Sequence, residues 1–241
     1  MQPSLYVSLS GQIALQKRLD TIANNVANVN TSGYRAEEVR FETILSEASR
    51  EPTAYSSAGE TFLSRKSGGF IETNNRFDVA IKGDAFMAIE TPVGQVYTRD
   101  GRMQMSPDGG LQTLNGHPVL DVGGAPIQLD PNGGDVTIAP DGTLTQGGQQ
   151  RGALGLFTIS NDARLARYEN SGVIPDLPAE PALDFARNGF AQGFIEQSNV
   201  NPVAEITRLI TVQRSFEAVT NAMSQTDERQ RDSIQKLGPS S

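Results

Sequence analysis

Few residues in this chain could do chemistry, and each has a plainer role close at hand. His117 is the only histidine, held in the turn Asn115-Gly116-His117-Pro118 just ahead of Val119-Leu120. One imidazole cannot serve a nucleophile and a metal ion together, so a side chain placed by its turn is the simpler reading. Asp100-Gly101 and Asp108-Gly109 could be drawn as a carboxylate pair for acid–base work, but Asp-Gly is among the commonest hairpin turns. The pairs Gly68-Gly69, Gly109-Gly110, Gly123-Gly124, Gly133-Gly134 and Gly147-Gly148 lack the strand-to-helix setting and the Gly-Lys-Ser/Thr ending of a phosphate loop. The Asp-x-Asp-x-Asp spacing of a calcium loop is absent. There is no cysteine, so neither disulfides nor thiolate metal sites can hold the fold. The sequence therefore predicts no catalytic residue, no cofactor and no metal, and the informative features are architectural.

Length and charge narrow the class. The 241 residues are enough for one or two domains with a buried core, although aromatic residues make up only 6% and tryptophan is missing. A formal charge of -8 argues against a nucleic-acid partner, because no basic surplus exists to displace counterions from phosphates. The N-terminus has neither a basic leader region nor a continuous apolar run, and no stretch of about 18 apolar residues occurs. Neither membrane insertion nor export by a cleaved signal peptide is expected.

Two long helices must frame whatever the chain does. At the C-terminal end Asn201 is a candidate N-cap, Pro202 suits the first helical position and Glu205 favours the positive end of the helix dipole. From there Leu209, Val212, Phe216, Val219 and Met223 recur at steps of three and four as far as about Leu237; Ile206 and Ile210 widen the stripe, and Ile234 and Leu237 return to it. At the other end Leu15, Leu19, Ile22, Val26 and Val29 repeat in the same way, with Leu5, Leu9 and Ile13 upstream. Positions 4 to 29 would span roughly 40 Å as a helix, which needs tertiary or intermolecular partners. Asn24, Asn25 and Asn28 are weak helix formers crowded into its last turns. They serve either a fraying helix end or hydrogen bonds across a helix–helix or subunit interface. Gln213 and Arg214 flank the second stripe, as polar contacts or as a solvated face.

Between the helices the pattern changes. Asn30-Thr31-Ser32-Gly33 is a turn signal, the chain runs extended from Tyr34 to Phe41, and residues 46 to 69 read as a long loop or arm poor in large apolar side chains. From about 70 to 196 short apolar runs alternate with glycine-rich punctuation. Phe77-Asp78-Val79-Ala80-Ile81, Phe86-Met87-Ala88-Ile89, Gln95-Val96-Tyr97-Thr98-Arg99, Val136-Thr137-Ile138 and Leu154-Gly155-Leu156-Phe157-Thr158-Ile159 are candidate strands. Pro107-Asp108-Gly109 and Pro140-Asp141-Gly142 form a faint repeat whose chemistry is that of antiparallel hairpins. The predicted class is α+β: long N- and C-terminal helices pairing as a discontinuous coiled-coil domain, with an all-β middle domain inserted between them. The segments are 1–33 for the first helix, 34–75 for an extended arm, 76–190 for the β-rich domain and 191–241 for the second helix.

These motifs resemble those of bacterial flagellar rod and hook proteins. The match lies in Leu19-Asp20-Thr21-Ile22-Ala23-Asn24-Asn25-Val26-Ala27-Asn28-Val29-Asn30-Thr31-Ser32-Gly33-Tyr34 and in Gly193-Phe194-Ile195-Glu196-Gln197-Ser198-Asn199-Val200-Asn201-Pro202-Val203, then Gln213-Arg214-Ser215-Phe216-Glu217. Asp78-Val79-Ala80-Ile81-Lys82-Gly83-Asp84-Ala85-Phe86 and Tyr97-Thr98-Arg99-Asp100-Gly101 extend it into the middle. Gly116-His117-Pro118-Val119, Asp141-Gly142-Thr143 and Asn201-Pro202-Val203 favour the proximal rod type. The distal rod or another axial or hook-type subunit is the alternative; Ala85 and Met87 depart from the pattern those types usually carry.

The resemblance implies a non-enzymatic structural subunit of the basal-body rod, crossing the periplasm and carrying motor torque. Its implied partners are other copies of itself, neighbouring rod proteins and the flagellar type III export apparatus. Assembly would proceed through a heterologous interface that does not close. The expected interface residues are Leu15, Leu19, Ile22, Asn24, Asn25, Val26, Asn28, Val29, Ile206, Leu209, Val212, Gln213, Phe216, Val219 and Met223. At about 1.5–3 kcal/mol per buried apolar side chain, four or five per helix would offset the ordering of the termini. A wall-degrading enzyme is the rival from another class, and it would need a positioned carboxylate pair where the chain offers turn aspartates.

Overall fold

The computed structural model describes residues 3–46, 53–57 and 59–237, with only the backbone described at 3–6, 43–46, 53–56, 227 and 230–237. In chain order the elements are α1 (Pro3–Ala27), β1 (Glu37–Arg40), β2 (Thr43–Ser46), β3 (Thr53–Ser56), β4 (Glu60–Leu63), β5 (Phe70–Glu72), β6 (Val79–Lys82), β7 (Ala85–Thr91), β8 (Gly94–Thr98), β9 (Met103–Met105) and β10 (Leu111–Thr113). There follow β11 (Val136–Ile138), β12 (Thr143–Gln146), β13 (Gln149–Ala153), β14 (Leu156–Thr158), β15 (Leu165–Tyr168), β16 (Gly172–Pro175), β17 (Glu180–Pro181), β18 (Gly189–Gln192), β19 (Phe194–Glu196) and α2 (Pro202–Leu237). The α+β class is thus present, with helices at both ends and strands between. The chain divides into two units: one of residues 1–26, 37–61 and 201–241, the other of 27–36 and 62–200.

In the helical unit, α2 starts where its cap chemistry says it should. Asn201 Oδ1 accepts from the Ala204 amide at 3.1 Å, and the Glu205 amide donates to the Asn201 carbonyl at 3.0 Å. The stretch read as an arm carries strands instead: β2 and β3 form an antiparallel hairpin in the register Thr43↔Ser56 to Ser46↔Thr53, and β4 pairs with β1. Four-residue strands of the type Thr-Ala-Tyr-Ser are too short to show as apolar runs, and they are recognised by their pairing. The part of that arm at 47–52 and 58 lies outside the described residues.

The β-rich unit is built on a six-stranded antiparallel sheet in the order β15-β16-β8-β7-β14-β17. Its central strand β7 reads Ala-Phe-Met-Ala-Ile, a continuous apolar run, because both faces are covered. Ala85, Met87 and Ile89 point into one core with Val96, Leu111, Leu144 and Leu156; Phe86 and Ala88 point into the other with Tyr97, Phe157 and Val173. Tyr97 and Phe157 meet edge to face at 5.4 Å in that second layer. The two Pro-Asp-Gly sequences join β9 to β10 and β11 to β12, both antiparallel, as the turn chemistry predicts.

Candidate functional site

The expected interface residues of the helical unit lie on two helices that run past each other. Gln12 Nε2 on α1 donates to Thr220 Oγ1 on α2 at 3.4 Å, while Arg18, Thr21, Ile22 and Asn25 of α1 share a cavity with Glu205 and Arg208 of α2. Early α1 therefore meets the middle of α2 and late α1 meets its start, so the two helices are antiparallel here. The cavity, about 230 Å³, is completed by Glu37, Glu38 and Val39 of β1.

Burial sorts the two stripes. On α2, Glu205 and Val212 are buried and Leu209, Phe216, Val219 and Met223 half-buried, in steps of four and three, so this heptad face is covered. Ile206 and Ile210 lie off it, each 48% exposed, beside Val203 at 74%. Gln213 is exposed and donates to Glu217 Oε1 one turn on, at 3.3 Å. On α1, Ile22 is buried and Leu15, Leu19 and Val26 are half-buried, whereas Leu9 and Ile13 are exposed.

The three asparagines part company. Asn25 is buried, and its amide makes two bonds to one strand residue: Nδ2 donates to the Glu37 carbonyl at 2.9 Å and Oδ1 accepts from the Glu37 amide at 2.8 Å. It extends the ladder of β1 as another strand would, which fixes α1 to β1 within the chain. Asn24 is exposed, and Asn28, half-buried past the helix end in the β-rich unit, accepts from Thr31 Oγ1 at 3.1 Å. Val29 is half-buried in that same unit, beyond the last turn of α1. Ile234 and Leu237 fall where only the backbone is described.

A second constellation in the β-rich unit has no counterpart among the residues expected from sequence. Glu196, at the end of β19, is 1% exposed and faces two buried arginines. Its Oε2 accepts from Arg99 Nε at 2.6 Å, and its Oε1 pairs with Arg35 Nη2 at 3.1 Å and accepts from the Gly68 amide at 2.9 Å. Arg99 also donates to the carbonyls of Gly83, Ala85 and Ile81, closing off the edge between β6 and β7. Two buried cations on one anion leave a formal surplus of positive charge, and Arg35 shows it. Burial first and the charge of Arg99 second pull its pKa down to about 10, against the opposing pull of Glu196. Its Nε and Nη1 have no hydrogen-bond partner. Glu196 also anchors through its backbone: its carbonyl accepts from the Gly33 amide at 2.9 Å. Gly33 has φ +68°, and a Cβ there would run into the backbone of Arg99 and Asp100, so only glycine lets the N-terminal segment lie this close. Three residues on, Asn199 accepts from the Ala36 amide at 2.7 Å and donates to the Lys66 carbonyl at 2.7 Å.

These charges were hard to foresee because their partners are far apart in the chain. The one available signal was position: Arg99 and Glu196 fall inside the motifs that carry the family resemblance, Tyr97-Thr98-Arg99-Asp100-Gly101 and Phe194-Ile195-Glu196-Gln197. Among the described residues no group of three or more His, Asp or Glu side chains is placed to hold a metal ion, and no helix is long and apolar enough to cross a membrane.

Models of protein families match three parts of the chain: "Flagella basal body rod protein" at 5–35, "Flagellar hook protein FlgE/F/G D1 domain" at 80–146 and "Flagellar basal body rod FlgEFG protein C-terminal" at 191–236. The match at 5–35 holds α1 and the Gly33 crossing, and the match at 191–236 holds Glu196, Asn199 and most of α2. The chain is 51% identical over 241 residues to the flagellar basal-body rod protein FlgF of Mesorhizobium japonicum, covering 100% of both chains. It is 45% identical over 240 residues to FlgF of Rhizobium meliloti, again covering 100% of both. To the rod protein FlgG of Buchnera aphidicola it is 30% identical over 265 residues, covering 98% of this chain and 99% of that one. Full-length similarity at this level, with the motifs falling on the capped helix and on the Glu196 junction, places the chain in the family of flagellar basal-body rod proteins, on its FlgF-like side.

Proposed function

We propose that this FlgF-like structural subunit of the flagellar rod builds its assembly surface from the outer flanks of α1 and α2. The observation that carries this reading is the split of α2 into a covered heptad face and an exposed apolar flank of Val203, Ile206 and Ile210. The covered face closes within the chain as an antiparallel coiled coil. The register set by Gln12 with Thr220 and by Ile22 near Glu205 puts Leu15 opposite Phe216, Leu19 opposite Val212 and Ile22 opposite Leu209. Val26 then faces the first turn of α2. The exposed flank, with Leu9 and Ile13 of α1, meets neighbouring copies and neighbouring rod proteins. Asn24, Asn28 and Gln213 add polar contacts to those neighbours. Such a surface joins unlike patches on successive copies, so it propagates along a helix instead of closing.

The terminal segments 1–33 and 191–241 are in this view the assembling part, 76–190 the β-rich part and 34–75 the connection. The subunit reaches the periplasmic rod through the flagellar type III export apparatus.

Substitution separates the two faces. Ile206→Asp with Ile210→Asp leaves the stability of the isolated chain within about 0.5 kcal/mol, as surface changes do, but abolishes rod assembly and motility. Leu19→Asp damages both. The reading fails if cells carrying the double change in α2 build normal basal bodies, or if Leu19→Asp leaves assembly intact.

A further inference from the structure

The charge cluster around Glu196 leaves one group short of partners. Arg35 and Arg99 are both buried and share the Glu196 carboxylate, whose oxygens are already taken by Arg99 Nε, Arg35 Nη2 and the Gly68 amide. Arg99 places its other N–H groups on three backbone carbonyls, so the unmet demand falls on Arg35, whose Nε and Nη1 are buried without a partner. A buried donor left unpaired is costly, and more so on a charged group.

Arg35 is also one wall of a cavity of about 110 Å³, completed by Arg65, Asp84, Phe86 and Asn161. That is several times the space one water needs, and well short of the roughly 300 Å³ at which sites for larger organic ligands begin. Arg65 is fixed in place: Nη1 donates to the Ile159 carbonyl at 3.1 Å, and Nη2 to the carbonyls of Ser160 at 2.7 Å and Ala163 at 2.9 Å. Those carbonyls occupy its donors without cancelling its charge. Phe86 is buried and supplies an apolar wall, while Asn161 is exposed and carries a side-chain amide able to donate. Burial lowers the Arg65 pKa, and the carboxylates of Asp84 and then Asp162 oppose that. Both carboxylates are exposed, and Asp84 does not reach the spare donors of Arg35, which have no partner.

We propose that this cavity binds a small monovalent carboxylate, held by Arg35 with its spare donors, by the charge of Arg65 and by the Asn161 amide on the exposed side. The buried groups Arg35, Arg99 and Glu196 carry a formal surplus of one positive charge, which one negative charge balances. A dianion overshoots that balance and is set against Asp84. The bound carboxylate joins Arg35 to the turn at 159–163 through Arg65, and so steadies the N-terminal segment of the β-rich unit where it crosses Glu196.

Titration of the full chain with isotope-labelled formate tests this, read by the line width of the formate resonance with ionic strength held constant by a bulky sulfonate. Saturable broadening is expected, half-complete at about 1 mM, the affinity that three heavy atoms can carry. The urea midpoint should rise with formate as mass action requires, and citrate, too large for the cavity, should not compete. Arg35→Met leaves Glu196 with one arginine and should abolish binding; Arg65→Met should weaken it about tenfold. Asp84→Asn removes the carboxylate that shares the cavity and should tighten binding several-fold, a gain that a damaged fold does not give. The site is overturned if formate shows no saturation in the wild-type chain up to about 50 mM, which leaves the cavity to water, or if citrate competes. It is also overturned if Arg65→Met and Asp84→Asn both bind formate as the wild-type chain does, and these two variants decide should Arg35→Met fail to fold.

Discussion

Removing Glu196 is not the reverse of adding it, because both arginines it faces stay buried without an anion. Glu196→Gln is expected to cost about 3–5 kcal/mol in urea unfolding, the scale of a broken buried pair. Glu205→Gln should cost nearer 1 kcal/mol, because its partner Arg208 is 63% exposed. A smaller effect works through a turn. The Asp141 carboxylate accepts from the Thr143 amide at 2.9 Å, and that backbone bond holds its pKa below the usual 3.8. A depressed carboxylate lends stability above its unfolded pKa and loses it as pH falls through the folded value. Stability of the wild-type chain should therefore drop more steeply below about pH 3.8 than that of Asp141→Asn, in urea melts taken at a series of acid pH values. Single residues were legible where their chemistry is local: Asn201 declares its cap three residues ahead of its partner amide. Glu196 could not be read that way, since nothing near it in the chain announces Arg35 or Arg99.

Elements were legible in proportion to their length. α2 begins at Pro202 because cap, proline and acidic first turn coincide, and Asn201→Ala is expected to cost about 1 kcal/mol and to speed amide exchange in the first turn of α2. The heptad period showed which face of α2 is covered, yet it also drew in Ile206 and Ile210, which the helix turns outward. Periodicity reports which residues share a face; it does not say how wide the covered face is. The asparagines of α1 raised the same difficulty: their shared oddity as helix formers hid three different fates, and the bidentate seat of Asn25 on Glu37 depends on a strand too short and polar to be seen beforehand. The sequence shows a strand where both faces are buried, as in β7, and hides one that is short and mostly exposed, as in β4, where Leu63 is the buried residue.

At the scale of the molecule, the sheet order β15-β16-β8-β7-β14-β17 brings together strands from 85 to 181, a pairing that no local pattern encodes. The residues of both apolar clusters lie between 63 and 190, within the β-rich unit. A fragment of 27–200, without the bulk of either helix, is therefore expected to unfold in one cooperative transition with a urea midpoint close to that of the same unit in the full chain. The tie of Gly33 and Ala36 to Glu196 and Asn199 also has a mechanical side. The two stretches of backbone that lead from the β-rich unit towards α1 and α2 leave it bonded to each other. The pairing is parallel, with Gly33 beside Glu196 and Ala36 beside Asn199, so the lead towards α1 and the lead towards α2 part at opposite ends of it. Tension drawn through one lead and out of the other therefore puts these bonds in shear, sharing the load among them instead of unzipping them one at a time.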